Sequence, residues 1–210
     1  RRRQRQMCIR DRYNIMSFGN MKKENGQNPI LNYIKNSNAD IVCMQEYAGS
    51  ETAKIHLSNK EIRQALKDYP YHNIKQVGKT GAGSQLACYS KFPILSARML
   101  DYRSNYNGSM VYEIKIGKDT VLLINNHLES NKLTREDKVV YEDMLKDPKA
   151  GKVKSGVRQL VNKLAEASAI RSAQARTIAQ EIAHSPYPSV IVCGDFNDSP
   201  ISYAHRVISQ

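Results

Sequence analysis

"VIVCGDFNDSP", Val190 to Pro200, sets four apolar residues and a glycine directly before a cluster of short polar side chains. The pattern predicts a buried β-strand from Ser189 that delivers Asp195 and Asn197 to a tight turn. A rigid strand that ends in a carboxylate is a preorganised place for chemistry. Asp-x-Asn after Gly is also ordinary turn chemistry, because Asp and Asn side chains bond to nearby backbone. The rest of the chain has to separate the two readings.

Three further apolar runs carry polar groups in the same way. Asn14 lies in "YNIMSF" (Tyr13 to Phe18), read as a short strand, and Glu46 closes "ADIVCMQEY" (Ala39 to Tyr47). Asn126 and His127 close the run that begins at Thr120. Singly these signals are weak: a lone Glu after a strand usually faces solvent or an ion pair, and a lone His is usually a hydrogen-bonded structural residue. Together they fit one chemistry. A hard cation such as Mg²⁺ is held by one or two carboxylates with water and substrate phosphate oxygens, so Glu46 and Asp195 suffice. Cleavage of a phosphate ester also needs donors aimed at the developing negative charge, and Asn14, Asn197 and His127 supply them. No clustered His or Cys set points to zinc.

Between these anchors, Pro29 opens a short helix with Asn28 as N-cap and Ile30, Leu31 and Ile34 on one face. A second helix is predicted from Asn59 to Tyr69, ended by Pro70. "YHNIKQV", "SQLACYS", "ILSARML", "SMVYEIKI" and "TVLLINNHLE" then follow without intervening helices, which implies antiparallel pairing, with "GKD" at Gly117 to Asp119 as a hairpin turn. From Thr134 to His184 the pattern is helical in two pieces. Val157, Leu160, Val161 and Leu164 form one stripe, and Ile170, Ala173, Ile178, Ala179 and Ile182 the other. Lys152, Lys154, Arg158, Lys163, Arg171 and Arg176 in this insert are read as a solvated face, with substrate selection as the alternative. Helices at both ends of a strand-rich middle predict an α/β fold of two packed sheets flanked by helices.

The motifs "QEY" after "ADIVCM", "YSKFPI", "NNHLES" and "GDFNDSP", in this order, resemble the endonuclease/exonuclease/phosphatase superfamily, which includes deoxyribonucleases, abasic-site endonucleases, sphingomyelinases and inositol polyphosphate phosphatases. The resemblance runs from Tyr13 to Gln210. It implies a four-layer α/β/β/α sandwich of two mixed sheets, with a site at the sheet edges that uses Mg²⁺ or Mn²⁺. By the same resemblance Glu46 binds metal, and Asn14 and Asn197 bind metal or phosphate. Asp195 orients the attacking water, and His127 stabilises the transition state. The abasic-site branch carries Lys shortly after its Glu, where this chain has Tyr47, Ala48 and Gly49, and a Tyr-bearing motif where this chain has "NNHLES"; the His motif instead resembles the deoxyribonuclease and lipid-phosphodiesterase branches. The implied function is hydrolysis of a phosphate ester, of nucleic acid, lipid or soluble type, by a monomer with no obligate protein partner. A non-catalytic member that binds nucleic acid or protein is the alternative.

The 210 residues suffice for one domain with a large core, and no apolar run is long enough to span a bilayer. The net charge of +12 overstates the surface. Residues 2–12, "RRQRQMCIRDR", match what a transposase-based sequencing adapter encodes in frame, so residues 1–12 are read as a scar, with a natural basic arm as the alternative. Without these twelve residues, which carry six Arg and one Asp, the charge is +7. Cys43, Cys88 and Cys193 lie in or beside apolar runs without C-x-x-C spacing and read as small buried hydrophobes in a reducing, cytoplasmic setting. A membrane anchor upstream of Tyr13 is the other possibility for location. The superfamily's later Asp motif and its terminal Ser-Asp-His are missing; His205 lacks a preceding Asp, and His56, His72 and His184 have no motif context. The fold is therefore expected to be incomplete at the C-terminus, and the fragment alone to bind metal weakly, to be inactive and to aggregate through an unpaired sheet edge.

Overall fold

The computed structural model describes residues 14–20, 23–48, 57–78, 85–102, 104–146 and 153–209. The basic stretch 1–12, Tyr13, His56 and Lys152 lie outside them. In chain order the elements are α1 (Met16–Asn20), α2 (Pro29–Asn36), β1 (Ile41–Tyr47), α3 (Asn59–Ala65), β2 (Tyr71–Gln76), β3 (Gln85–Ser90), β4 (Ile94–Met99) and β5 (Gly108–Ile116). They continue as β6 (Asp119–His127), α4 (Arg135–Lys146), α5 (Val153–Ala183), β7 (Ser189–Asp195) and α6 (Tyr203–Ser209).

The strands form two sheets, in the orders β1-β3-β2 and β4-β5-β6-β7. Pairing is antiparallel except for β6 with β7, which run parallel and are joined by the crossover through α4 and α5. The first sheet gains a parallel bridge between Asn14 and Gln45. As expected from the sequence, the protein is an α/β sandwich of two sheets flanked by helices.

Alternation along each strand builds the layers. On β3, Leu86 and Cys88 face the second sheet, where they meet Met110, Tyr112, Ile114 and Leu123. Ala87 and Tyr89 point the other way, onto Leu31, Ile34, Ile62 and Leu66 of the α2 and α3 region. On β6, Leu122 and Ile124 pack with Val111 and Val192 against Ala175 and Ile178 of α5 and Ala204 and Ile208 of α6. Cys43 and Cys193 border the layer between the sheets with buried Cys88, and all three are free thiols. Hydrogen bonds from Cys193 and Cys88, together with burial, push the Cys43 thiol up, so it packs as a neutral group.

Several elements depart from expectation. "YNIMSF" is not a strand: after the bridge at Asn14 the chain turns left-handed at Ser17 (φ 53°), Phe18 (φ 54°) and Gly19 (φ 65°). The turn drops Phe18, 1% exposed, into the α2 and α3 core, and the Asn28 amide holds the Phe18 carbonyl at 2.8 Å. Asn28 caps α2 as expected, its Oδ1 accepting from the Leu31 amide. α3 stops at Ala65, short of the predicted Tyr69. Both apolar stripes of the insert fall on the single 31-residue helix α5, preceded by α4. α6 was not foreseen. Among the described residues no helix is long and apolar enough to cross a membrane.

The parallel β6–β7 pair is unusually dependent on one residue. Gly194 has φ +128°, and a Cβ there would lie 2.0 Å from the Asn126 carbonyl oxygen and 2.5 Å from its nitrogen. Gly194→Ala is expected to cost on the order of 3 kcal/mol and to lower Tm by roughly 6–12 °C in a chain of this size. A melting curve within about 2 °C of wild type would show that the two backbones do not approach this closely.

Candidate active site

Three strands end on the same side of the sandwich and present their last polar residues to one another. The β6–β7 register sets His127 opposite Asp195. On β6, His127 shares the face of Leu123 and Asn125, so it points between the sheets, whereas Asn126 shares the face of Ile124 and points toward α5. Asn126, fully buried, accepts from Ser109 Oγ at 2.6 Å and donates to the Cys193 carbonyl at 2.9 Å. Since Ser109 gives its only hydroxyl proton to Asn126, Tyr102 must donate its own to Ser109. Of the two residues that close this run, Asn126 is therefore structural and His127 faces the site.

β1 contributes through a bulge. Its register with β3 shifts between Met44 and Tyr47, and Glu46 sits at φ 54°. The extra residue lets Met44 and Tyr47 both reach the helix-side core while Glu46 is re-aimed toward the second sheet. One step earlier, buried Gln45 donates to Asn125 Oδ1 at 2.6 Å, and Asn125 donates to the Ala87 carbonyl at 3.3 Å. This amide pair ties the sheets together beneath the site.

The structure brings together all five residues singled out from sequence. Asn14 Nδ2 donates to Glu46 Oε1 at 2.7 Å and to Asp195 Oδ2 at 3.0 Å, and its Oδ1 accepts from the Met16 amide at 3.0 Å. Asp195 Oδ1 accepts from the Asn197 amide at 2.9 Å, the turn chemistry expected of Asp-x-Asn, with Asn197 at φ 50°. Asn197 Nδ2 donates to the Leu128 carbonyl and the Leu128 amide to the Asp195 carbonyl, at 2.9 and 2.8 Å. His127, 5% exposed, has Nε2 3.8 Å from Glu46 Oε1. Burial lowers its pKa from the ordinary imidazole value, against the opposing pull of Asp195, Glu46 and Glu129. Burial thus favours the uncharged imidazole. Among the described residues, no three His, Cys, Asp or Glu converge on one ion position.

Residues 13–210 match the family model described as Endonuclease/Exonuclease/phosphatase family. The chain belongs to this family. No curated protein sequence matches it. Several solved structures of the endonuclease/exonuclease/phosphatase fold are similar at low identity. Humanised D. rerio TDP2 carrying 14 mutations is 14% identical, with 85% of this chain and 57% of that one covered and a TM-score of 0.51. SmcL is 14% identical, with 85% and 60% covered and a TM-score of 0.50. Sphingomyelinase C from Streptomyces griseocarneus is 18% identical, with 81% and 56% covered and a TM-score of 0.50. These likenesses concern the fold, and the chain spans little more than half the length of each.

Sequence reasoning missed the polar groups behind the five. The solvated-face reading suits Arg158 and Arg176, which are exposed, but fails for Arg171, buried at 4% exposure. Arg171 and Gln174 lie within the buried stripe Ala167, Ala175 and Ile178 at helical spacing, whereas Ala173, placed in the core from sequence, is exposed. Ile178 is buried and Ile182 packs against the core as predicted, and the misplaced member is Ala173, whose neighbours Arg171 and Gln174 take the buried positions. Glu129, just past His127, is also buried and accepts from Ser104 at 2.6 Å.

The Asn14 amide bridges two carboxylates that would otherwise repel. In chelator at pH 7, Asn14→Leu is expected to lose about 1–2 kcal/mol in urea unfolding, and Asn14→Asp more, because it adds a third carboxylate. Equal stability of Asn14→Asp and wild type would show that Glu46 and Asp195 are not held together.

Proposed function

We propose that this chain carries the catalytic centre of a phosphoesterase that hydrolyses phosphodiesters with the help of Mg²⁺ or Mn²⁺. The observation that carries this reading is the charge left over at the strand ends. Of four neighbouring carboxylates, Glu129 is paired with Lys132 at 2.5 Å and Asp198 with Arg171 at 3.1 Å. Glu46 and Asp195 share the Asn14 amide, Glu46 has the His127 imidazole 3.8 Å away, and Asp195 accepts the Asn197 amide; none of these partners is a Lys or Arg. Two adjacent carboxylates with no Lys or Arg ion pair among the described residues suit one divalent cation. Their oxygens, with the amide oxygen of Asn14, are hard donors that favour Mg²⁺ or Mn²⁺ over thiophilic metals. Glu46 and Asn14 are the residues that would hold it, and the cation when bound supplies Lewis-acid stabilisation of the phosphoryl charge.

The remaining steps belong to the protein's own side chains. Asp195, fixed at Oδ1 by the Asn197 amide, uses Oδ2 to orient a water for in-line attack on phosphorus. His127 is held neutral in a largely dry position and donates a hydrogen bond to a non-bridging oxygen as charge develops there. Asn197 has one amide hydrogen on the Leu128 carbonyl, which leaves the other and Oδ1 for the substrate. Both amide hydrogens of Asn14 are committed to carboxylates, so its contribution is to hold them and not to donate to phosphate.

The test uses the gene product at its natural length, stripped with EDTA and assayed with and without Mg²⁺. Substrates are bis-p-nitrophenyl phosphate, nicked DNA and sphingomyelin vesicles, which separate nucleic-acid from lipid specificity. Mg²⁺-dependent turnover of at least one is expected, with kcat lower by roughly 10²-fold or more in Glu46→Ala and in His127→Ala. Turnover that survives both changes, or needs no cation, sinks the assignment. DNA binding without turnover would make the protein a binding module instead.

A further inference from the structure

We propose that Arg171 is the positioning residue of this site: from α5 it fastens the loop after His127 to the loop after Asp195, and so sets where the two halves of the site stand. The inference rests on the phosphoesterase reading for its consequence in catalysis, and on geometry alone for the clamp. Arg171 Nη1 donates to the Glu129 carbonyl at 2.9 Å and to Asn131 Oδ1 at 2.8 Å, and Nε donates to Asp198 Oδ2 at 3.1 Å. One turn along, Gln174 Oε1 accepts from the Glu129 amide at 2.9 Å. The helix thus holds both backbone groups of Glu129, two residues beyond His127, and the side chain of Asp198, next to Asn197.

The geometry explains why the residue is arginine. A planar guanidinium offers donors in several fixed directions at once, and three separate acceptors on two loops call for that fork. An ammonium in its place is a single compact charge on a flexible stem and cannot reach all three together. A buried cation persists only where it is paired, and Asp198 supplies the partner. The bonds of Arg171 go to Glu129, Asn131 and Asp198 and not to the five strand-end residues themselves. It acts on them through Leu128, whose amide and carbonyl bond Asp195 and Asn197.

The test compares Arg171→Ala, Arg171→Lys and Leu160→Ala, the last a core change on the same helix with no bond to either loop. With bis-p-nitrophenyl phosphate at saturating Mg²⁺, kcat of Arg171→Ala is expected to fall about 10²-fold with KM within about threefold. Guanidinium ion, and not ammonium, restores part of it. Arg171→Lys recovers Tm without recovering kcat, and Leu160→Ala loses Tm while retaining kcat. A folded Arg171→Ala with kcat within about threefold of wild type, or rescue by ammonium as effective as by guanidinium, overturns the proposal. If the wild-type protein at its natural length shows no turnover, the phosphoesterase reading fails by itself and amide hydrogen exchange still tests the clamp. Arg171→Ala should lose protection at the Glu129 and Asn197 amides while Leu122–Ile124 of β6 stay protected. Unchanged exchange at Glu129 and Asn197 overturns the clamp.

Discussion

The parallel pairing of β6 with β7, in the register that sets His127 beside Asp195, is the constraint on which the rest of the site depends. A shift by one residue would turn His127 toward α5 and Asn126 toward Glu46, because side chains alternate along a strand. Several contacts hold this register against slippage. Gly194 fits where a side chain would collide with the Asn126 backbone, Asn126 reaches across to the Cys193 carbonyl, and Leu128 continues the ladder to the Asp195 carbonyl. The glycine of "GDFND" is thus required by a close approach of backbones, one residue before Asp195.

Backbone strain concentrates on the segments that meet at these strand ends. Glu46, Asn197, and the run Met16 to Phe18 just after Asn14 all have positive φ. Non-glycine residues in this region each cost on the order of 1–2 kcal/mol. Each is held by a neighbour with another reason to be there: Phe18 fills the helix-side core, Tyr47 does the same just past Glu46, and the Asp195 carboxylate takes the Asn197 amide. Regular strands could not aim Asn14, Glu46 and Asn197 at one point, and the irregular conformations are what make them converge.

The two packed sheets were legible in the sequence because strand runs follow one another without helices in the middle and helices flank them, whereas the faces of all-apolar runs, Leu86 and Cys88 against Ala87 and Tyr89 on β3 or Leu122 and Ile124 against Leu123 on β6, are set by the fold. The five strand-end residues were legible because each breaks an apolar run with a group that strands seldom carry. The left-handed turn at Met16 to Asn20 was not, since "YNIMSF" has strand composition and only the demand of Phe18 for the core overrides it. Arg171 was hidden for the opposite reason. A lone Arg on a Lys- and Arg-rich helix reads as solvated, and its burial depends on acceptors at Glu129, Asn131 and Asp198, far away in sequence. A phase anchored on Ala167, Ala175 and Ile178 places it in the stripe, but it takes the fold to show that Ala167 and Ala175, and not Ala173, are the buried alanines.

The choice of amides for most of the holding work has an electrostatic reason. Asn14 bridges Glu46 and Asp195, Gln45 and Asn125 tie the sheets, Asn126 locks the β6–β7 register, and Gln174 holds Glu129. An amide donor fixes a carboxylate without neutralising it, whereas Lys or Arg in the same place would fix it and cancel its charge. Around the site, among the described residues, cations pair instead with the neighbouring carboxylates, Arg171 with Asp198 and Lys132 with Glu129. Among the described residues Glu46 and Asp195 have no Lys or Arg partner, whereas Glu129 and Asp198 each have one. Lys or Arg beside Glu46 and Asp195 would compete with a bound cation for their oxygens, so the placement of neutral against charged donors supports the proposed cation-dependent site.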